Sequence, residues 1–437
     1  MADLKRIARQ IFQETLAAID IPAAMQRKLR RTGSVLHCGE HGVDLRAFDK
    51  ISVIAVGKAT HAMLQGLDAL IPEGMQFSGV ACAPTPPMRA QQGVQYFIGG
   101  HPIPNAQSLA AAAAILALLK ECDARTLVFF LLSGGGSALM ELPLNAQLGL
   151  ADVQHIYQTL VTCGASITEI NAVRKHLSAV KGGRLAAAAG RATKITLAVS
   201  DVPVGYESAL ASGPTLPDPT TRGDVEKIIA RYGLIEKFPA ELQRWIAAGK
   251  MPETPKPGDA AFMNAEFLLL LGMDDLFHPA HHAAEAKGFV ACCDNVSDDW
   301  PVEKAAEYLL RQLEAQRATN PGRYVAVIAD GEVSSPVTGN GIGGRNAAFV
   351  LACVENIVGQ RVAVLSAGSD GIDGNSPAAG AVADGETLGR ALELGWDPQR
   401  AFRGSDAHTF FARLDDAVVT GPTGNNLRDL RILLAEP

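Results

Sequence analysis

Continuous apolar runs that stop at a glycine or a carboxylate recur along the first half of the chain. Ile51–Gly57 (ISVIAVG) is the first, and helix-like spacing begins at Lys58 directly after it. Gly79–Ala83, Gln95–Ile98, Thr126–Leu132 and Lys194–Val199 have the same character. Unbroken β-branched and aliphatic runs suit strands buried on both faces of a parallel sheet. Helical patterns lie between them at Ala106–Glu121, Gln147–Cys163 and Ser166–Ala179. The last opens with Ser166 and Glu169 in capping-box spacing. Strands alternating with helices predict a doubly wound α/β domain.

The pattern breaks at Gly249–Asp259 (GKMPETPKPGD), where Pro and Gly sit among charges without periodicity. Such a stretch reads as a linker. Alternation then restarts. Glu266–Leu271 and Phe289–Cys293 read as strands around a helix at Met273–Ala286. Pro301–Ala318 and Asn346–Ile357 read as helices, and Tyr324–Ile328 and Arg361–Ser366 as strands. The expectation is two α/β domains, residues 1–248 and 260–437. The first is a Rossmann-like doubly wound parallel sheet, and a cleft between the two is the natural active site.

Composition narrows the function classes. The 437 residues are 48% hydrophobic and 19% charged, which excludes wholesale disorder. The formal charge is −7, so nucleic acid is not expected as a partner. The longest apolar runs fall well short of a membrane span, and the N-terminus reads as an amphipathic helix without a signal-peptide core. The seven cysteines follow no zinc or disulfide spacing, which suits reduced thiols in the cytoplasm.

Chemistry concentrates where the strands end. Ser133-Gly134-Gly135-Gly136-Ser137 follows the Thr126–Leu132 run and opens a helix. Three glycines let several N–H groups aim at one point, and phosphate is the expected guest. The alternative is a tight turn that binds nothing. The loop is neither a Walker A motif nor a dinucleotide fingerprint. Lys58 ends the first strand, as an anion clamp or as a solvated lysine at a helix start. Asp201 ends the Lys194–Val199 strand, where it orients a hydroxyl, holds Mg²⁺ or caps a helix. His101 precedes a helix in Gly99-Gly100-His101-Pro102 and is a candidate ligand contact.

In the second half, Gly339–Asn346 is a further glycine-rich loop, and Arg345 offers a planar fork for carboxylate or phosphoryl oxygens. Asp370 and Asp373 stand among glycines at the end of the Arg361–Ser366 strand, and Asp330 and Glu332 follow Tyr324–Ile328. Spaced carboxylates at strand ends suit Mg²⁺ or a substrate hydroxyl.

The loops resemble those of the MOFRL-type glycerate kinases. VGKA is Val56–Ala59, GHP is Gly100–Pro102 and SGGGSAL is Ser133–Leu139. SDV is Ser200–Val202, ASGPT is Ala211–Thr215 and GGRN is Gly343–Asn346. SAGxDGxDG is Ser366–Gly374 and TGPTGxN is Thr420–Asn426. They occur in this order from about residue 6 to about 430. The resemblance implies ATP- and Mg²⁺-dependent phosphorylation of D-glycerate at the 2-hydroxyl. It also implies Lys58, Asp201 and Arg345 as catalytic residues. With it, Ser133, Gly134, Gly135, Gly136 and Ser137 are read as the nucleotide cradle. His101, Asn346, Asp370 and Asp373 are read as substrate contacts, and Asp370 and Glu332 as metal contacts. A homo-oligomer is left open. Some relatives carry the name hydroxypyruvate reductase, so a nicotinamide-dependent oxidoreductase is the alternative. A non-catalytic binding module is the second.

Overall fold

The computed structural model describes every residue except Met1, Ala2, Glu40, Glu73, Gln76, Asp201, Pro203, Val204 and Asn426. Its backbone divides into two compact units, Ile21–Gly272 and a second that joins Met1–Asp20 to Met273–Pro437.

The Ile21–Gly272 unit begins with a small antiparallel sheet of β1 (Leu29–Thr32), β2 (Val35–Cys38) and β3 (His41–Asp44). Its main sheet contains β4 (Lys50–Val56), β5 (Phe77–Ala83), β6 (Val94–Ile98), β7 (Thr126–Ser133), β8 (Thr193–Val199) and β9 (Ala265–Leu271). All six are parallel, in the order β6-β5-β4-β7-β8-β9. Every residue of β7 is buried, as an apolar run covered on both faces requires. The chain lays strands outward from β4 on one side, then returns to place β7 on the other. The strand order therefore reverses between β4 and β7. In open α/β sheets, ligands bind at the carboxyl ends of the strands flanking such a reversal.

Two expectations change here. The strand at Glu266–Leu271 was expected to start the second domain, yet β9 pairs in parallel with β8 and closes the first sheet. The 249–259 stretch is also not a free linker. Met251 and Thr254 are buried. Lys256 Nζ donates to the carbonyl oxygens of Asp218 and Thr220 and to Thr254 Oγ1. The buried Asp218 carboxylate accepts from Lys175 Nζ at 3.2 Å, Thr220 Oγ1 at 2.9 Å and Thr254 Oγ1 at 3.0 Å. Pro and Gly without periodicity suggested a linker because these polar contacts reach residues some forty positions away, where local pattern carries no signal.

The second unit is built on a mixed sheet of β10 (Val290–Cys293), β11 (Val325–Asp330), β12 (Val362–Gly368), β13 (Gly380–Asp384), β14 (Ala417–Val418) and β15 (Asp429–Ala435). The order is β10-β11-β15-β12-β13-β14, and only the β10–β11 pair is parallel. The N-terminal helix Leu4–Ala18 belongs to this unit. Asp3 caps it by accepting from Arg6 N, and Leu4, Ala8, Ile11 and Phe12 form its buried stripe. That stripe packs on the helix Met273–Ala286 and on β12, while Lys5 Nζ donates to Asp416 at 2.9 Å. The expected ranges 1–248 and 260–437 thus differ from the compact units at both ends. Among the described residues no helix is long and apolar enough to cross a membrane.

Replacing Asp218 by Ala leaves the buried Lys175 ammonium without its carboxylate. Loss of one partner of a buried pair costs about 3–5 kcal/mol. A urea-denaturation midpoint equal to wild type would contradict this account of how the 249–259 stretch is held.

Candidate functional site

The turn after β4 is stitched to the end of β7. The N–H of Lys58 donates to the Gly134 carbonyl at 2.9 Å, and that of Ala59 to Ser133 Oγ at 2.9 Å. Gly57 makes this possible. Its φ is +134°, and a Cβ there would lie 2.1 Å from Ser133 Oγ, so only glycine fits. Lys58 is thereby held at the strand-order reversal, one residue before the helix turn that leads to Thr60–Asp68.

Gly135 turns the loop with φ +83°, and a single helical turn, Gly136–Leu139, follows. Among the described residues, the N–H groups of Gly135, Gly136 and Ser137 find no acceptor. Buried or half-buried donors of this kind normally have partners. Three in succession beside a lysine are the arrangement that an anion cradle requires. His101 borders it. A Cβ on Gly135 would lie 3.1 Å from His101 Cδ2 and 3.5 Å from Lys58 Cγ. His101 is exposed, yet partial desolvation of its ring, and then the Lys58 charge, hold the imidazole below its ordinary pKa.

The two serines hold the loop in shape. Ser133 Oγ receives the Ala59 N–H, and Ser137 Oγ lies 2.7 Å from Ser212 Oγ. The backbone donors, with Lys58, are what the loop presents to an anion. Asp201 lies outside the described residues. The strand leading to it, β8, places Val199 in register with Ser133.

In the second unit Arg345 heads the helix Arg345–Val354. Its Nη1 and Nη2 each reach a Glu332 oxygen at 2.8 Å, and its Nε donates to Asp429 Oδ2. Burial opposes the charge, but these two carboxylates outweigh it and hold the guanidinium protonated well above its ordinary value. The loop before Arg345 is pinned. Gly343 N donates to Asn375 Oδ1 at 2.8 Å and Ile342 N to Asp406 Oδ1 at 2.9 Å.

Asp373 and Asn346, read as substrate contacts, are occupied structurally. The buried Asp373 carboxylate accepts from the N–H groups of Asn346 at 3.0 Å and Ala347 at 2.8 Å, capping the helix. Burial outweighs the pull of these two N–H groups and raises its pKa to about 6. Asn346 Oδ1 accepts from Ser366 Oγ at 2.6 Å. Asp370 and Glu332, read as metal contacts, are not assembled as a metal centre. Both Glu332 oxygens face Arg345, and Asp370 Oδ1 accepts from Ile372 N at 3.0 Å. Among the described residues no group of three His, Cys, Asp or Glu side chains is arranged to hold a metal ion.

Asp429 carries no local sequence signal, whereas Asp330 is marked by its place at a strand end. Asp429 stands at the first position of β15 and meets Arg345 across 84 positions. Asp330 ends β11 buried, with neither carboxylate oxygen hydrogen-bonded among the described residues. Burial raises its pKa to about 6 even though Arg428 and Arg431 act to lower it.

Because Lys58 disfavours the His101 imidazolium, Lys58→Met should raise the His101 pKa toward its ordinary value while partial desolvation still holds it down. Protonation of His101 works against folding. The stability it lends the wild type is present above about pH 6.5 and is lost as pH falls through its lower folded value. NMR titration of the ring in wild type and variant checks this, and coincident curves would show that the two side chains do not face each other.

Comparison with known proteins finds two family matches along the chain, with bounds that differ from those of the compact units. Residues 7–247 match the family described as a domain of unknown function, DUF4147, and residues 325–429 match the MOFRL family. A D-glycerate 2-kinase from Thermotoga maritima is 31% identical over 432 residues, covering 98% of each chain. A protein of Agrobacterium vitis, provisionally named a hydroxypyruvate reductase, is 34% identical, covering 98% of this chain and 94% of its own. The crystal structure of glycerate kinase from Thermotoga maritima superposes with a TM-score of 0.84 at 31% identity, covering 99% of each chain. With the glycine loop, Lys58 and Arg345 in place on this fold, the chain belongs to the glycerate kinase family that combines the DUF4147 and MOFRL domains.

Proposed function

We propose that this protein transfers the γ-phosphoryl group of ATP to D-glycerate, at the 2-hydroxyl, giving 2-phosphoglycerate and ADP. The observation that carries the reading is the row of N–H groups from Gly135 to Ser137, without acceptors among the described residues, beside Lys58 at the reversal of strand order. Phosphoryl transfer asks the protein for positioning and charge neutralisation more than for covalent chemistry, and this loop offers both.

In this reading the loop N–H groups hold nucleotide phosphates, and the Lys58 ammonium neutralises charge on the migrating group. The His101 imidazole, kept neutral, adds a hydrogen bond without a second full charge. Arg345 serves the glycerate carboxylate or the phosphoryl oxygens, with the incoming anion competing against Glu332 for the guanidinium fork. Asp201 is assigned to orient or deprotonate the acceptor hydroxyl. Among the described residues the carboxylates do not form a cage for Mg²⁺, so the ion is assigned to enter on the ATP phosphates, in keeping with its preference for phosphate oxygens and water. The seven cysteines are all unpaired, which supports a reducing cytoplasmic setting.

The oxidoreductase alternative fits less well. A dinucleotide fold needs its glycine fingerprint after the first strand, where the backbone must approach a pyrophosphate. Here that turn is Gly57-Lys58-Ala59, and the space freed by Gly57 is filled by Ser133.

Phosphorus NMR of a mixture of ATP and D-glycerate is expected to show a phosphomonoester on the 2-oxygen. NADH with hydroxypyruvate is expected to remain unchanged. A 3-phosphate product would revise the regiochemistry, and NADH oxidation would replace the reading. Lys58→Ala and Arg345→Ala should each lower kcat by about 10²–10³-fold, as loss of one charge-stabilising donor does, and Arg345→Ala should also lower the melting temperature because it leaves the buried Asp429 without its guanidinium. Near-normal turnover in either variant would remove that residue from its assigned role.

A further inference from the structure

The loop that offers its N–H groups is gripped on its far side by two buried polar chains. In the first, Ser212 Oγ donates its one proton to Asn171 Oδ1 at 3.2 Å. The 2.7 Å contact between Ser212 and Ser137 is therefore made with the Ser137 proton. In the second, the single Tyr157 hydroxyl proton is shared between the Ser137 carbonyl oxygen at 2.7 Å and Glu141 Oε2 at 2.6 Å. Glu141 Oε2 also accepts from the fully buried Lys181 at 2.7 Å, and Lys181 donates to the Met140 carbonyl at 3.0 Å. Both ends of residue Ser137 are thus tied to side chains that solvent does not reach.

The Ser212 arm is also strained. Ala211 and Ser212 have φ of +49° and +60°, the left-handed region that costs an L-residue of order 1–2 kcal/mol. Gly182 and Gly183 hold the segment there by donating to the carbonyl oxygens of Ser212 at 3.0 Å and Gly213 at 2.8 Å. The Ala211 side chain lies against the loop, since a Cβ on Gly136 would come 2.7 Å from the Ala211 Cβ. Two consecutive non-glycine residues in this conformation persist only where the surroundings over-determine them.

We propose that Ser212 and Tyr157 are positioning residues that hold the Gly135–Ser137 N–H groups in the orientation that binds nucleotide phosphate. The inference rests on the kinase reading above. Neither side chain touches the phosphate. Ser212 fixes the Ser137 side chain, Tyr157 fixes the Ser137 carbonyl, and the peptide planes between Gly135 and Ser137 follow.

The full-length chain with Ser212→Ala or Tyr157→Phe tests this. Each substitution removes one hydroxyl and nothing else. Both variants are expected to weaken ATP binding, read by calorimetry, and to raise the KM for ATP, by about tenfold, the size of one lost hydrogen bond. The KM for D-glycerate should stay within a factor of two, and the melting temperature within a few degrees. Unchanged ATP affinity, or an equal loss for both substrates, would overturn the proposal. If Ser212→Ala does not fold, Tyr157→Phe decides alone. Wild type that binds ATP without phosphorylating D-glycerate, together with weakened ATP binding in the variants, sinks the kinase reading and leaves the positioning role. Wild type that does not bind ATP sinks both.

Discussion

The first unit's chemistry depends on two backbone hydrogen bonds, from Lys58 N to the Gly134 carbonyl and from Ala59 N to Ser133 Oγ. They join the ends of β4 and β7, adjacent strands that lie 70 residues apart in the chain. A lysine at the start of a helical turn faces like-signed backbone dipoles and gains nothing by itself. Stitched to a glycine loop whose N–H groups lack acceptors among the described residues, the same lysine stands where the proposed anion site needs a positive charge. The constraint extends backwards to Gly57, whose missing side chain is what lets Ser133 come close enough to accept.

The two units treat charge in opposite ways. In the first unit the Gly135–Ser137 N–H groups find no acceptor among the described residues. Arg345 is instead held between Glu332 and Asp429. A bidentate pair keeps a guanidinium planar and aimed, and its partners set the affinity an incoming anion must exceed. Asp330 sits nearby as a buried carboxylate without a hydrogen bond among the described residues. It is tolerated beside Arg428 and the buried Arg431, whose charges act to lower its pKa while burial raises it.

Much of the fold was legible because buried parallel strands have a strong local signature. The runs at Ile51–Gly57, Thr126–Leu132 and Lys194–Val199 became β4, β7 and β8 with shifts of a residue or so, and the capping box at Ser166 and Glu169 is present. The glycine loop and Lys58 were legible for the same reason, since strand ends and glycine clusters mark where backbone approaches closely. Asp373 and Asn346 were found as polar residues beside glycines, but local pattern does not distinguish a helix cap from a ligand contact. Ser212, Tyr157 and Asn171 gave no sign of their connection to Ser137, because each lies on a different element.

The amino-acid sequence by itself determined which segments are strands, which loops bend on glycine, and the residue types available at each strand end. Those properties follow from periodicity and from the backbone freedom of single residues, both readable over a few positions. Tertiary structure alone decided that Leu4–Ala18 packs with the unit starting at Met273, and that β9 completes the first sheet. It also decided that Arg345 faces Asp429 and that the 249–259 stretch is anchored through Asp218. These choices rest on burial and ion pairing between residues tens to hundreds of positions apart, where the energy is set by which surfaces meet and not by the order of neighbours along the chain.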